Sequence, residues 1–540
     1  MNIKPLFQND KDITLNEYLR RCGIDDPIGY INPSNEVIES YAQYDGIDDA
    51  CTLLYDAITS DEYIVIVCDS DCDGYCSSAM AYQFLIDQGV PEEAIVVLFH
   101  ASKQHGLSND IMAQLNAFDA VDVGDIGLIW LPDAGTNDTD QSAIFALRNV
   151  PVLITDHHEK ERENPHAVIV NNQTSDSVTN KDLCGTGVTH KVISAYCKRF
   201  NSTFHTKVLD LVALATISDV CDVRSLENRM IIKWGLSHIN NEFIRAMCDE
   251  FIADGEITPT SLAWNIIPKI NAACRGDDQQ LKEDLFYAFA INRKDTSEVI
   301  NAIKKAHTTQ RNTVNALYEK ALDITPIGDG VKIFEFDNTP YTGLIATKLS
   351  DHYACPCMVV HKHGDIYSGS MRSPCELKDK LNDSGLMTLC MGHSQACGVG
   401  WEAQNTNKLS TYCEQLDLTP SEKSVMISTD NVLINPYVFR LTEDGKDLWG
   451  QGIPKPKIHI SNVTINGQDI KEIGSNKTTI KFLYGDTEII KFFCTKEFKQ
   501  RLNVGKNVNM TLEIIGTPSI NSFRGKDTKQ IVIDEVEIQG

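Results

Sequence analysis

At 540 residues the chain is too long for one ordinary hydrophobic core and far beyond a disulfide-stapled miniprotein, so two to four domains are expected. Its 42% hydrophobic and 23% charged residues sit near the globular average, which excludes a disordered or fibrous chain. A formal net charge of −26 excludes a protein that coats nucleic acid by bulk electrostatics, because such binding needs Lys and Arg to neutralise phosphates.

The first residues, MNIKPLFQNDKDITL, lack the basic-then-apolar layout of a secretory signal, and no run of 18 apolar residues occurs. The expectation is a cytoplasmic protein with no membrane contact. The seventeen cysteines include no C-x-x-C pair and many fall in apolar runs, which favours reduced, buried thiols. Cys68, Cys72 and Cys76, at spacing four, form the one cluster with any look of a zinc site, and zinc is the lesser reading there.

Between 61 and 170, β-rich apolar runs alternate with helix-like stretches: YIVIVC (63–68), AIVVLF (94–99), GLIWLP (127–132), PVLIT (151–155) and HAVIV (166–170). Near-continuous apolar strands of this kind predict a parallel sheet covered by helices on both faces, with ligands beyond the strands' carboxyl ends. From 185 to about 325 the period turns helical, ending in TSEVINAIKKAHTTQRNTVNALYEKALDI, which reads as a long connecting helix. A second, smaller α/β lobe follows, with VKIFEF (331–336), TGLIATKLSDHY (342–353), CMVVH (357–361) and DIYSGSM (365–371). After KPKIHI (455–460), alternating strand-like segments with turn signals at 466–467 and 484–486 predict a small β-barrel of the oligonucleotide-binding type. Residues 455–540 carry a net +3, the rest −29, so the tail is a separate unit and the better candidate for touching a polyanion. The domains predicted are a leader plus catalytic domain (1–225), a helical connector (226–325), the smaller α/β domain (326–430), and a hinge with the barrel (431–540).

Just past the first strand stand Asp69, Asp71 and Asp73, followed by Gly74. Carboxylates this close raise one another's pKa over ~4 to 6 Å, and a cation relieves that repulsion. The bland alternative is an acidic turn or helix cap. Asp133 follows the third strand, Asp156-His157-His158 the fourth, and Asp219 closes the helical run LVALATISDV. All but Asp219 fall at one sheet edge, and mixed Asp/His ligation favours manganese, then magnesium, over a thiolate-type zinc site. Two divalent ions ~3.5 to 4 Å apart need a bridging carboxylate, terminal carboxylates and one or two His, which this set supplies for phosphoester cleavage.

D-x-D-x-D-G, a strand-end Asp, D-H-H and a helical Asp together resemble the DHH phosphoesterase superfamily. The segments 267–278 (IPKINAACRGDD), 368–373 (SGSMRS), 392–398 (GHSQACG) and 449–456 (WGQGIPKP) are similar to RecJ exonucleases, as are RCGID (21–25) and INPS (31–34) in the leader. That resemblance implies a DHH catalytic domain, a DHH-associated domain and an OB-type barrel, acting as a 5′→3′ exonuclease on single-stranded DNA with two divalent cations. It implies Asp71, Asp73, Asp133, His157 and Asp219 as metal ligands, with Asp133 bridging, and Asp69 as a ligand or a support for one. Asp156 is expected to orient His157, and His158 to reach the scissile phosphate. Ser370 and Arg372 resemble the residues that hold the 5′ phosphate, and Arg275 and His393 those that contact the backbone near the cut. Where the family has an arginine upstream of Gly106-Leu107-Ser108, this chain has His100, with Lys103 nearby, and both are expected at the substrate. Expected partners are single-stranded DNA, with RNA left open, and a single-strand-binding protein or helicase, the chain itself being a monomer. Overall acidity fits a phage version acting in the host cytoplasm. Two competing readings are a phosphatase of the same superfamily acting on short oligonucleotides or nucleotides, and an inactive replication scaffold.

Overall fold

The computed structural model describes residues 3–7, 13–119, 124–252, 256–291, 295–337, 339, 341–420, 423–429, 436–474, 476–523 and 526–539. They fall into two compact units. One comprises Asn9–His307 and Thr429–Gly540, the other Thr308–Ser428 with the N-terminal strand Ile3–Phe7.

In the first unit, β1 (Tyr63–Cys68), β2 (Ile95–Phe99), β3 (Ile126–Pro132), β4 (Val152–Asp156) and β5 (Val168–Asn171) form an all-parallel sheet in the order β2-β1-β3-β4-β5. These are the five apolar runs of the sequence, each shifted by no more than two residues at either end. Alternate side chains feed two separate cores. Ile64, Ile66, Leu128, Trp130 and Leu153 pack against α1 (Cys72–Asp87) and α2 (Gly185–Phe200), while Val65, Val67, Ile129, Leu131 and Ile154 pack with Leu107, Ile111, Leu115 and Phe145. A sheet buried on both faces has no polar alternation, which is why its strands read as continuous apolar runs. The strand order reverses between β1 and β3. Open sheets of this order bind ligands at that switch point, beyond the carboxyl ends.

α3 (Leu209–Ser218) and α4 (Ile267–Cys274) belong to the helical region after the sheet, and the expected long helix is α5 (Thr296–Leu322). The hinge segment docks on the leader and on the loop after α3. Tyr18 donates its hydroxyl to the Pro454 carbonyl (2.9 Å), Tyr30 to that of Val223 (3.0 Å), and the Val223 amide donates to Gln451 (2.9 Å). The C-terminal strands of this unit run in the order Ile458–Asn466, Asn509–Phe523, Lys526–Gln539, Thr487–Lys491, Thr479–Tyr484, Lys471–Ile473. The tight turn read at 484–486 is a hairpin with Tyr484 opposite Thr487 and Gly485 in the left-handed region that such turns require.

In the second unit, β6 (Lys332–Glu335), β7 (Cys357–His363), β8 (Ile366–Arg372), β9 (Met387–His393) and β10 (Ala396–Glu402) form a sheet ordered β9-β10-β8-β7-β6, parallel only at β6–β7. α6 (Thr342–Tyr353) covers one face through Ile345 and Leu349. All seventeen cysteines are free thiols, mostly buried, and the Cys68–Cys72–Cys76 series lies inside the core of the first unit and supplies no member to any candidate metal group among the described residues.

Candidate metal centre

The acidic turn after β1 is built by three backbone constraints. Asp71 caps α1, accepting from the Gly74 amide at 3.2 Å, so the helix-cap reading and the carboxylate-cluster reading hold at once. Gly74 cannot be replaced, because a Cβ there would meet Asp69 Cβ at 2.5 Å. Asp73 accepts from the amides of Gly185 (2.8 Å) and Thr186 (2.9 Å) at the start of α2, and from the Thr186 hydroxyl. An ionised carboxylate has about four acceptor positions, so this leaves Asp73 roughly one for another partner.

Asp133 follows β3 with φ of 76°, a left-handed conformation that a short polar side chain tolerates better than most. The bend aims its carboxylate into the rim. His157 lies between two acids, with Nε2 3.4 Å from Asp133 Oδ1 and Nδ1 3.6 Å from Asp219 Oδ2. Three overlapping groups thus have ligand atoms within 4.8 Å of one another: Asp69, Asp71 and Asp133; Asp73, His157 and Asp219; and Asp133, Asp156, His157 and His158. The last of these acids, Asp219, reaches the rim from the end of α3.

Electrostatics make the case for a cation. Burial, then Asp73, Asp71, Asp69 and Asp219, push the Asp133 carboxyl well above its ordinary range, and burial with Asp73 and Asp71 does the same to Asp219. Burial also raises Asp71, but Arg275, the Gly74 amide, His105 and His158 outweigh it and leave that carboxyl below its ordinary range. Buried Oδ1 atoms of both Asp69 and Asp133 have no hydrogen-bond partner. Buried polar atoms left unsatisfied cost about 1–3 kcal/mol, more when charged, and a divalent ion would satisfy both while neutralising the repulsion. The donor set, carboxylates with imidazole, fits manganese or magnesium.

Asp156 accepts from the Thr136 amide (3.0 Å), the His157 amide (2.7 Å) and His158 Nδ1 (2.7 Å). It therefore orients the His158 ring; its hold on His157 is through the backbone alone, a correction to the expectation that it positions the His157 ring. Burial opposes protonation of His158, but Asp156 wins and lifts it to about 10.

His100 is likewise not where the sequence put it. Its side chain is 0% exposed, with Nδ1 3.0 Å from Ser108 Oγ and Nε2 3.7 Å from Asp69 Oδ1. It stands behind the acidic turn and cannot meet a substrate directly. The buried Lys282 ammonium donates to the carbonyls of His100 (2.7 Å) and Ala101 (2.8 Å) and so holds the backbone of that stretch. Lys103 is on the exposed part of the same loop. A residue that sequence reasoning missed, His105, donates through Nδ1 to Asp69 Oδ2 at 2.7 Å. A single histidine in a polar loop carries no signal beyond its place next to Gly106. Arg275 reaches the turn from the end of α4, with Nη2 3.3 Å from Asp71 and Nε 3.4 Å from the Ser70 carbonyl.

In the second unit, Ser370 and Arg372 lie on β8 opposite the start of α6. Ser370 Oγ is 2.9 Å from Thr342 Oγ1, and a Cβ on Gly343 would stand 3.0 Å from Arg372 Nη2. His393 is exposed at the end of β9.

Residues 63–216 match the family model for the DHH family, N-terminal domain, and residues 442–535 that for the RecJ OB domain. The chain thus carries a DHH-family N-terminal domain and a RecJ OB domain. YorK of Bacillus phage SPbeta, assigned as a single-strand DNA-specific exonuclease, is 28% identical over 96% of this chain and 95% of its own. The single-stranded-DNA-specific exonuclease RecJ of Haemophilus influenzae is 25% identical over 91% of this chain and 90% of its own. Among solved structures, RecJ of Thermus thermophilus with Mn2+ superposes with a TM-score of 0.71 at 18% identity, covering 92% of this chain and 72% of that one. The form with Mg2+ gives 0.69 at 17%, covering 99% and 77%. These likenesses carry the RecJ fold through both matched domains and the α/β unit between them. Among the described residues no helix is long and apolar enough to cross a membrane.

Proposed function

We propose that this RecJ-like chain is a 5′→3′ exonuclease that hydrolyses single-stranded DNA to mononucleotides with two divalent cations, manganese preferred over magnesium. The observation that carries the reading is the rim of buried carboxylates at the switch point, in which Asp69 and Asp133 each keep an oxygen without a partner. Asp69, Asp71, Asp73, Asp133, His157 and Asp219 would hold the ions. When bound, the cations supply charge neutralisation for phosphate oxygens and an acidified water for in-line attack. The rest falls to the protein's own side chains. His158, half exposed and held by Asp156, is aimed to meet the scissile phosphate. Arg275 is placed to contact the strand beside the acidic turn, and Lys103 and His393 to contact it from exposed positions.

Ser370 and Arg372, facing the first turn of α6, form the kind of cradle that takes a terminal phosphate, since a helix N-terminus and a guanidinium fork both suit that anion. A strand whose 5′ phosphate is held there would be bound by its end. A cytoplasmic location, a monomeric state and a single-strand-binding protein or helicase as partner go with this reading, as do the four domains at 1–225, 226–325, 326–430 and 431–540.

The test is nucleotide release from a long 5′-phosphorylated single strand, a dinucleotide and a circular single strand, each in Mn2+, in Mg2+ and with chelator. Mononucleotides should appear from the linear strand alone at full rate, faster in Mn2+, and not at all with chelator. Equal rates on the dinucleotide would favour the short-substrate phosphatase, and efficient cutting of circles would remove end anchoring.

A further inference from the structure

Two imidazoles stand over the centre in matching form. His158 has Nδ1 2.7 Å from Asp156, and His105 has Nδ1 2.7 Å from Asp69. Asp156 and Asp69 are 1% and 2% exposed, while the His158 and His105 side chains are 50% and 48% exposed. The two ring centroids are 6.2 Å apart. Each ring therefore gives one nitrogen to a buried carboxylate and is left with Nε2 for something outside.

His105 is also held as a working residue is held. The Gln104 carbonyl just before it accepts from Ser70 Oγ at 2.7 Å, within the acidic turn itself. Just after it, Gly106 sits at φ of 59°, where a Cβ would lie 2.1 Å from Asp138 Oδ2, and the same oxygen accepts the Leu107 amide at 2.7 Å. A solvated surface histidine needs no such anchors. Fixing backbone and ring on both sides removes the conformational freedom that a group acting on a bound substrate must otherwise lose.

We propose that His105 is a catalytic residue of this centre: its Nε2 meets a non-bridging oxygen of the same phosphodiester that His158 meets, so that two aspartate-backed imidazoles flank one phosphate. With hydrogen bonds of about 2.8 Å on either side, a single phosphate group is large enough to touch both rings at this separation. The loop that carries the buried His100 thus still delivers a group to the substrate, five residues further on. The inference rests on the phosphodiesterase reading above, and it names a contact that reading does not include.

The decisive measurement is the imidazole 15N spectrum of the full chain, selectively labelled at histidine and loaded with Mg2+, during titration with thymidine 5′-monophosphate. His105→Gln and His158→Gln assign the two signals. Both should move with the same saturation, and a His105 signal that stays still while His158 moves would overturn the proposal. Steady-state digestion by His105→Gln should show kcat lowered about 30- to 100-fold with KM within about threefold. Calorimetric Mn2+ titration of the same variant should keep the wild-type number of sites; lost sites would mean that His105 acts only by supporting Asp69, and would also overturn it. If the wild type releases no nucleotide from single strands, the exonuclease reading fails, while the spectral titration still decides His105.

Discussion

Asp133 bears the sharpest conflict in the centre, an acid buried beside four others with one oxygen unpartnered. Removing its charge should pull function and stability in opposite directions. Asp133→Asn is expected to lower nucleotide release by roughly 10³-fold, because a neutral amide holds a divalent cation far less well than a carboxylate. In chelator the same variant should be more stable than wild type by about 1–3 kcal/mol, since the repulsion is gone and no ion is present to make use of it. Denaturant melts with and without Mn2+ check both halves, and an apo protein destabilised by the change would contradict the account. His190 gives a pH prediction away from the centre. Burial lowers it to about 4, with Nε2 2.8 Å from the His205 carbonyl. Unfolded, it protonates near 6.5, so between these values the unfolded chain binds the extra proton and stability falls as pH drops from about 6.5 to 4. The full shift corresponds to about 3 kcal/mol, and partial exposure of the residue brings the expected loss to about 1–2 kcal/mol. His190→Gln should flatten that limb of the stability profile; an unchanged profile would show that the ring does not titrate in this way.

The elements around the centre are joined where helices begin. The first turn of α2 supplies two amides to Asp73, and a Cβ on Gly185 would lie 2.1 Å from Asp133 Oδ1. One glycine thus lets α2 approach both acids. Gly185→Ala should cost about 1–3 kcal/mol of stability from overpacking and weaken Mn2+ binding by about tenfold or more, read by melting and calorimetry on the same preparation. Wild-type affinity in that variant would show that α2 does not shape the centre. The D-x-D-x-D-G turn was legible as a carboxylate cluster from its spacing alone, and so was its place at a strand end. That Asp73 is largely committed to α2 was not, because the two segments are 112 residues apart in the chain.

Over the whole molecule, the charge of −26 sets how nucleic acid can be held. The cations assigned to the substrate here are few, namely Lys103, Arg275 and Arg372, against a barrel region of only +3. Single-strand binding should therefore depend weakly on salt, with a slope of log affinity on log salt of about −2 to −3. Anisotropy with the Asp133→Asn variant, which holds the strand without cutting it, measures that slope. A value steeper than about −5 would mean a larger basic track than these residues provide.

The chain's own letters determined the architecture and most of the centre. Apolar runs bounded by turn residues specify buried parallel strands, and any polar residue one step past such a run must emerge at the sheet's carboxyl edge. Asp69, Asp71, Asp133 and His157 were readable for that reason. What only the tertiary structure decided is the aim of side chains in the loop after β2 and the partners that reach in from elsewhere. Lys282 captures two carbonyls beside the buried His100, Ser70 and Asp138 pin the loop on either side of His105, and Asp156 chooses the His158 ring over that of His157. Local periodicity fixes where the backbone goes, but the direction of a loop side chain depends on contacts between segments far apart in sequence, and these exist only once the sheet and its helices have packed.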